Sequence, residues 1–249
     1  MQSKLFNWFK FSSPATFYPL AGSIARFSWL ITLALLAVGL YMSFFVAPTD
    51  YKQGEGYRII FIHVPASWMS MFTYLVMAFW SILGLMYNTR LSSMMTQALA
   101  PTGAMFAFVS LWTGAFWGKP MWGTWWVWDA RITSELILLF LYLGYIALHG
   151  AIDDKRRADK AGAILILVGV VNIPIIYYSV EWWNTLHQGA TIKMNAKSTM
   201  DETMKITMLI MTFGCWAYTI AIAMQRVRNI ILEREHGAQW VRELIGEKA

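Results

Sequence analysis

The stretch WGTWWVWDARIT, residues Trp122–Thr133, places four tryptophans within seven positions and follows them with an acid and a base, Asp129 and Arg131. Tryptophan is large and mostly buried in proteins, so a cluster of this density is unusual. The reason for it depends on where the stretch lies relative to a membrane.

The composition predicts a membrane protein. Of the 249 residues, 57% are hydrophobic and only 14% are charged, and the mean hydropathy is +0.46. Soluble domains are nearer half apolar and a quarter charged. The net charge of +6 would suit a nucleic-acid-binding protein, but in a membrane protein it reflects cationic cytoplasmic loops. We therefore predict contact with membrane lipid and no binding of nucleic acid.

The sequence lacks the motifs for disulfide bonding, for covalent haem attachment and for ATP binding by a P-loop. Cys215 is the single cysteine, so no internal disulfide and no C-x-x-C-H haem attachment can form. The sequence also has no G-x-x-x-x-G-K-[ST] loop, so it does not bind ATP by a P-loop. Any energy from ATP must come from a partner.

Six stretches are long and apolar enough to cross the hydrocarbon core, which needs about 20 residues. They are residues 27–47, 65–87, 98–118, 132–149, 161–180 and 203–224. We therefore predict an all-α integral membrane protein with six transmembrane helices, forming a single membrane domain over residues 1–249. The first stretch is expected to be a retained anchor rather than a cleaved signal peptide. Asn172 and Pro174 predict a kink in the fifth.

The distribution of Lys and Arg predicts the orientation. Thirteen of the 20 lie in the N-terminal segment, the second and fourth loops and the tail, against seven in the other three loops and the start of the last span. By the positive-inside rule, both termini and the tail 225–249 are cytoplasmic. The tryptophan-rich segment 119–133 is then the second of three periplasmic loops of a bacterial inner-membrane protein.

Two of the four histidines are predicted on the same outer side as the tryptophans. His63 precedes Pro65 at the start of the second span, and His187 lies in the fifth loop. His149 and His236 are predicted on the cytoplasmic side, interfacial or solvated. Neutral imidazoles fill the two axial positions of a haem iron, so His63 and His187 are candidate axial ligands.

The tryptophans and outer cations fit the rest of a haem. The apolar macrocycle stacks on indole faces, and its propionates call for Arg or Lys. Arg131, Lys119 and Arg58 are the outer candidates. If residues 122–129 are helical, one face carries Trp122, Trp125, Trp126 and Asp129, whereas Trp128 and Arg131 point elsewhere.

The structural alternative is an interfacial aromatic belt, which explains scattered residues such as Trp29 and Trp216 but explains the cluster poorly. Taken singly, each outer histidine could equally be structural or solvated. Arg131 and Glu135 are four residues apart, which predicts an ion pair where the fourth span enters the membrane.

The cluster resembles the WWD signature, W-G-x-x-W-x-W-D-x-R-L-T, of membrane haem-handling proteins. The matching positions are Trp122, Gly123, Trp125 (or its neighbour Trp126), Trp128, Asp129, Arg131 and Thr133, with Ile132 in place of the usual Leu. The short length, six spans and two flanking outer histidines resemble in particular the CcmC family of cytochrome c maturation. The resemblance covers essentially the whole chain.

This resemblance implies a haem-transfer protein rather than an enzyme. It implies non-covalent haem b on the periplasmic face, with His63 and His187 as axial ligands and the WWD segment as platform. The implied partners are the haem chaperone CcmE, the small membrane protein CcmD, and an ABC-type complex with CcmA and CcmB. Two alternatives stay open: a haem-exporting permease subunit and, less well supported because the candidate ligands share one end, a b-type cytochrome.

Overall fold

The computed structural model describes residues 11–183, 185–187 and 200–246. Five of the cations used for the orientation lie outside these ranges: Lys4, Lys10, Lys193, Lys197 and Lys248. Within the described ranges the chain forms helices and connecting turns, and no β-strand. Six helical segments of the described ranges are long and apolar enough to cross a membrane, which confirms the predicted number.

The elements in chain order are α1 (Pro14–Tyr41), α2 (Ile60–Tyr87), α3 (Arg90–Trp122), α4 (Ala130–Ala151), α5 (Lys155–Gly169), α6 (Asn172–Trp182), α7 (Glu202–Arg234) and α8 (Gln239–Ile245). A π-helical turn, Met42–Val46, extends α1, and a 3₁₀ turn, Glu55–Ile59, leads into α2. Helix α1 begins well before the predicted residue 27, and α7 continues past residue 224. Both extensions carry polar and charged residues, which a count of apolar residues does not include.

The fifth span is broken in the middle, which confirms the predicted kink. Helix α5 ends at Gly169 and α6 begins at Asn172. The buried Asn172 side chain donates from Nδ2 to the Ser134 carbonyl at 2.8 Å, so it ties the break to α4. Pro174 has no N–H to give to a continuous helix.

The centre of the bundle is closed by tyrosines that meet small residues. Tyr74 and Tyr142 are fully buried and pack edge to face, with ring centroids 5.2 Å apart. The Tyr142 hydroxyl donates to the Ser70 carbonyl at 2.7 Å. Gly103 of α3 faces the Tyr142 ring so closely that any Cβ there would collide with it. This contact brings α3, α2 and α4 together.

We call the end of the bundle that carries His63 and the tryptophan-rich segment the site end. At the opposite end Asp159 accepts two hydrogen bonds from Arg234, at 2.8 and 2.9 Å, and lies 3.0 Å from His149. His149 is 4% exposed because this ion pair of α5 and α7 covers it, so it is not solvated, whereas its interfacial position at the end of α4 stays a prediction. His236 is exposed, as predicted.

Candidate functional site

The tryptophan-rich segment is a loop between two helix caps. Helix α3 ends at Trp122, because Gly123 adopts a left-handed conformation with φ of 77°. Helix α4 begins after Asp129, whose Oδ1 accepts from the Ile132 amide at 2.8 Å. The hypothesis of a helix over 122–129 was therefore wrong: the cap signals of glycine and aspartate prevail over the aromatic spacing.

Two adjoining cavities lie at the site end. The larger cavity has a volume of about 1270 Å³ and the smaller cavity about 440 Å³. Both are lined by His63, Gly114, Trp122, Arg131 and His187. The structure thus brings both predicted histidines to the same cavities, although they come from α2 and from the segment between α6 and α7.

The remaining predicted residues divide between the cavities and the surface. Trp125 and Trp126 line the smaller cavity. Trp128 is 75% exposed and lines neither cavity, although it packs edge to face on Trp126 at 5.3 Å. Arg131, expected to point away from the aromatic face, lines both cavities instead, since the segment is not helical.

His63 is held through one ring nitrogen. Its Nδ1 lies 3.0 Å from the Ser110 carbonyl and 3.1 Å from the Thr113 hydroxyl oxygen. A carbonyl only accepts, so Nδ1 carries the proton, and the lone pair of a neutral ring is then on Nε2. Thr113 donates its own proton to the Val109 carbonyl at 2.6 Å, which leaves its oxygen free to accept from His63.

His187 is held in the same way by a carboxylate. Its Nδ1 lies 3.1 Å from Asp129 Oδ2, and its ring packs edge to face on Trp122 at 4.9 Å. Since a carboxylate accepts, the lone pair of the neutral ring again falls on Nε2. Burial lowers the pKa of His187 below the ordinary 6.5, and Asp129 partly opposes this shift. The ring is therefore neutral at pH 7.

Only one of the three candidate cations reaches the cavities. Arg58 is engaged by Glu55 at 2.5 Å and by the Ala47 carbonyl at 3.1 Å. Lys119 donates to the Gly123 carbonyl at 3.0 Å and stabilises the end of α3. Arg131 donates to the Ile176 carbonyl at 3.2 Å while its side chain lines both cavities.

The predicted ion pair between Arg131 and Glu135 does not form. Among the salt bridges of the described residues none joins these two side chains. Arg131 turns toward the carbonyl of α6, whereas Glu135 accepts from the Ser70 hydroxyl of α2 at 2.7 Å. The i, i+4 spacing allowed the pair, but each side chain has a partner on another helix.

The sequence reasoning missed several residues of the larger cavity. Trp117, Tyr177 and Glu181 line it, as does Gln53, whose Oε1 accepts from the Trp117 indole at 2.8 Å. Trp117 could have been found, because it continues the aromatic run of the WWD segment toward the N-terminus. The others carry no local signal.

The fold and the site define a class of protein. It is a membrane protein with six spanning segments in the described residues, whose tryptophan-rich loop and two histidines meet at one pair of cavities. The family model CcmC, haem exporter protein C, matches residues 7–242. The chain therefore belongs to the CcmC family, which confirms the resemblance.

Individual relatives agree with this assignment. The chain is 47% identical over 232 residues to the haem exporter protein C of Escherichia coli (strain K12), covering 93% of this chain and 94% of that one. It is 43% identical over 234 residues to the Haemophilus influenzae protein of the same name, covering 94% and 95%. A putative cytochrome c biosynthesis ccmC-like mitochondrial protein of Marchantia polymorpha is 48% identical over 191 residues, 77% of each chain.

Proposed function

We propose that this protein binds haem b non-covalently at the periplasmic face of the bacterial inner membrane and delivers it to the haem chaperone CcmE. The names of its relatives, which refer to haem export and cytochrome c biosynthesis, support haem as the cargo. The periplasmic placement rests on the excess of Lys and Arg in the alternate loops.

One observation carries the proposal: two imidazoles line the same cavities, and each has its Nδ1 hydrogen-bonded to an acceptor. This second contact is typical of metal-ligating histidines, because it fixes the tautomer and makes Nε2 the donor atom. Within the described residues no group of three or more His, Cys, Asp or Glu could hold a bare metal ion. Two imidazoles suit a metal that brings its own four equatorial nitrogens, as haem iron does.

The cavity walls suit a flat apolar cargo. Trp68, Trp117 and Tyr177 line the larger cavity, and Trp122 lines both. Covering a macrocycle with such side chains stabilises the complex by about 25 cal/mol per Å² of apolar area. Retention then needs no covalent bond, as a carrier that must release its cargo requires.

The two ligands differ in how they are anchored, which suits handover. His63 lies within α2, whereas His187 lies in the segment after α6 and is fixed by Asp129. We propose that His187 is the ligand that leaves when CcmE receives the haem on its own histidine. CcmD and the ABC-type subunits CcmA and CcmB are proposed as further partners. The ABC-type complex would supply the ATP hydrolysis for which this sequence has no P-loop.

A permease subunit that moves haem across the membrane is the second candidate, favoured by the exporter names of the relatives. A b-type cytochrome is not favoured, because the other two histidines are engaged elsewhere. His149 pairs with Asp159, and His236 lies 2.9 Å from the Glu233 carbonyl at the surface.

Proteoliposomes separate delivery from permeation. The full-length protein is reconstituted alone, apo-CcmE is added outside, and haem is supplied either outside or only inside the vesicles. Delivery predicts that CcmE acquires haem from external haem, and that His187→Ala abolishes the transfer. If CcmE acquires haem only when the haem is supplied inside the vesicles, the result would support the permease and contradict the delivery proposal.

A further inference from the structure

The smaller cavity is lined by two residues with a buried polar atom that lacks a hydrogen-bond partner. These atoms are the indole Nε1 of Trp126 and Oε2 of Glu135. Glu135 is 4% exposed, and only its other oxygen is engaged, by Ser70. Native proteins pair nearly all such groups, so these two atoms, which line one cavity, are open to a ligand bound there.

The smaller cavity adjoins the proposed iron site. His63, Arg131 and His187 line both cavities, so a ligand held by the two histidines reaches the smaller cavity as well. The cavity then offers an indole N–H, a guanidinium and one carboxyl group. Donors outnumber acceptors, and a group with two acceptor oxygens matches them.

The Glu135 carboxyl group can serve as a donor in this setting. It lies on the second turn of α4, within a membrane-spanning helix, where a carboxylate without a partner is costly. As the neutral acid it has an O–H to donate. A carboxylic acid that donates to a carboxylate forms a short, charge-assisted hydrogen bond, and the guanidinium of Arg131 balances the single negative charge.

We propose that the smaller cavity is a subsite for a carboxylate of the cargo, bound by Trp126 Nε1, the Glu135 carboxyl group and Arg131. This inference rests on the proposed function and deepens it, because it restricts the cargo to metalloporphyrins with at least one free carboxylate. Sites with buried polar groups reject analogues that leave those groups unpaired. An esterified porphyrin keeps the apolar disc and the iron, but its neutral ester oxygens accept weaker hydrogen bonds than a carboxylate and bring no charge to Arg131.

The test compares haem with its dimethyl ester. The full-length protein in detergent is titrated with each compound, the Soret absorbance is followed, and the ratio of the two Kd values is taken, so that partition into detergent cancels between variants. The ratio of Kd for the ester to Kd for the free acid is expected to be at least tenfold larger in the wild type than in Trp126→Phe. This variant keeps an aromatic side chain and removes the indole N–H. Trp112→Phe is the matched control, because Trp112 is 55% exposed on α3 and lines neither cavity, so it should keep the wild-type ratio.

Two changes at Glu135 test its role as a donor. Glu135→Gln retains an N–H and is expected to keep the preference for the free acid, whereas Glu135→Leu is expected to reduce it about tenfold. If wild type, Trp126→Phe and Glu135→Leu all show the same ratio of Kd values, the subsite is overturned. Haem binding itself, and with it the proposed function, would not be affected by that result. Equal losses in Glu135→Gln and Glu135→Leu would overturn the donor role. A wild type that binds neither compound would overturn the proposed function together with the subsite.

Discussion

Asp129 is expected to control haem affinity through His187. Its side chain is 6% exposed and makes two contacts, one to the Ile132 amide at 2.8 Å and one to His187 Nδ1 at 3.1 Å. Asp129→Asn should keep the helix cap, because Asn caps helices about as well as Asp. With Asn Oδ1 on the cap, Nδ2 faces His187 Nδ1, and because both are donors the acceptor that fixes the imidazole tautomer is lost.

The magnitude follows from the hydrogen bond that is lost. A hydrogen bond to a charged group contributes about 1.5–3 kcal/mol. Its loss corresponds to a Kd for haem that is roughly 10–100-fold higher. Loss of such an outer partner typically costs about 10–100-fold in metal affinity. Asp129→Ala should also lose about 1 kcal/mol of stability with the cap.

Haem titration by Soret absorbance, beside thermal unfolding of the apoprotein, separates the two effects. Asp154→Asn is the matched control, since Asp154 caps α5 through the Arg157 amide at 2.7 Å and lies at the opposite end. Wild-type affinity in Asp129→Asn, or an equal loss of affinity in Asp154→Asn, would refute the role given to this carboxylate.

Two further outcomes are expected. Because burial lowers the pKa of His187 below 6.5, protons compete with iron only in acid: haem affinity measured between pH 5.5 and 8 should be level above about pH 6.5 and fall below it. Affinity that rises toward pH 5.5 would contradict the neutral ligand. Gly103→Ala should lower the free energy of unfolding by about 1–3 kcal/mol, because its Cβ meets the Tyr142 ring. Gly237→Ala, with nothing within 4 Å, should change it by less than about 0.5 kcal/mol in the same thermal assay, and equal shifts would contradict the close packing.

The bundle could be predicted from the sequence because its determinants are local. Runs of apolar residues give the six spans, and Asn172 with Pro174 marks the break in the fifth. The ends of the tryptophan-rich loop were also readable, since Gly123 and Asp129 are ordinary cap residues. These two caps end α3 and begin α4, so the aromatic spacing within residues 122–129 does not produce a helix.

The details of the site depend on contacts between helices that spacing does not encode. His63 is held by a backbone carbonyl of α3, which any residue at position 110 supplies. Arg131 and Glu135 have the spacing of an ion pair, yet each finds its partner on another helix. Arg58 and Lys119 were candidates by sidedness alone, and local acceptors hold both away from the cavities.

The assignment of His63 and His187 as the two axial ligands is tested most directly by the absorption spectrum of the haem-loaded protein. Wild type should show a six-coordinate, low-spin spectrum. His63→Ala and His187→Ala should each shift to a five-coordinate, high-spin form, whereas His236→Ala should match the wild type. A low-spin spectrum retained in both cavity variants, or a wild-type protein that stays colourless with ample haem, would contradict bis-histidine ligation.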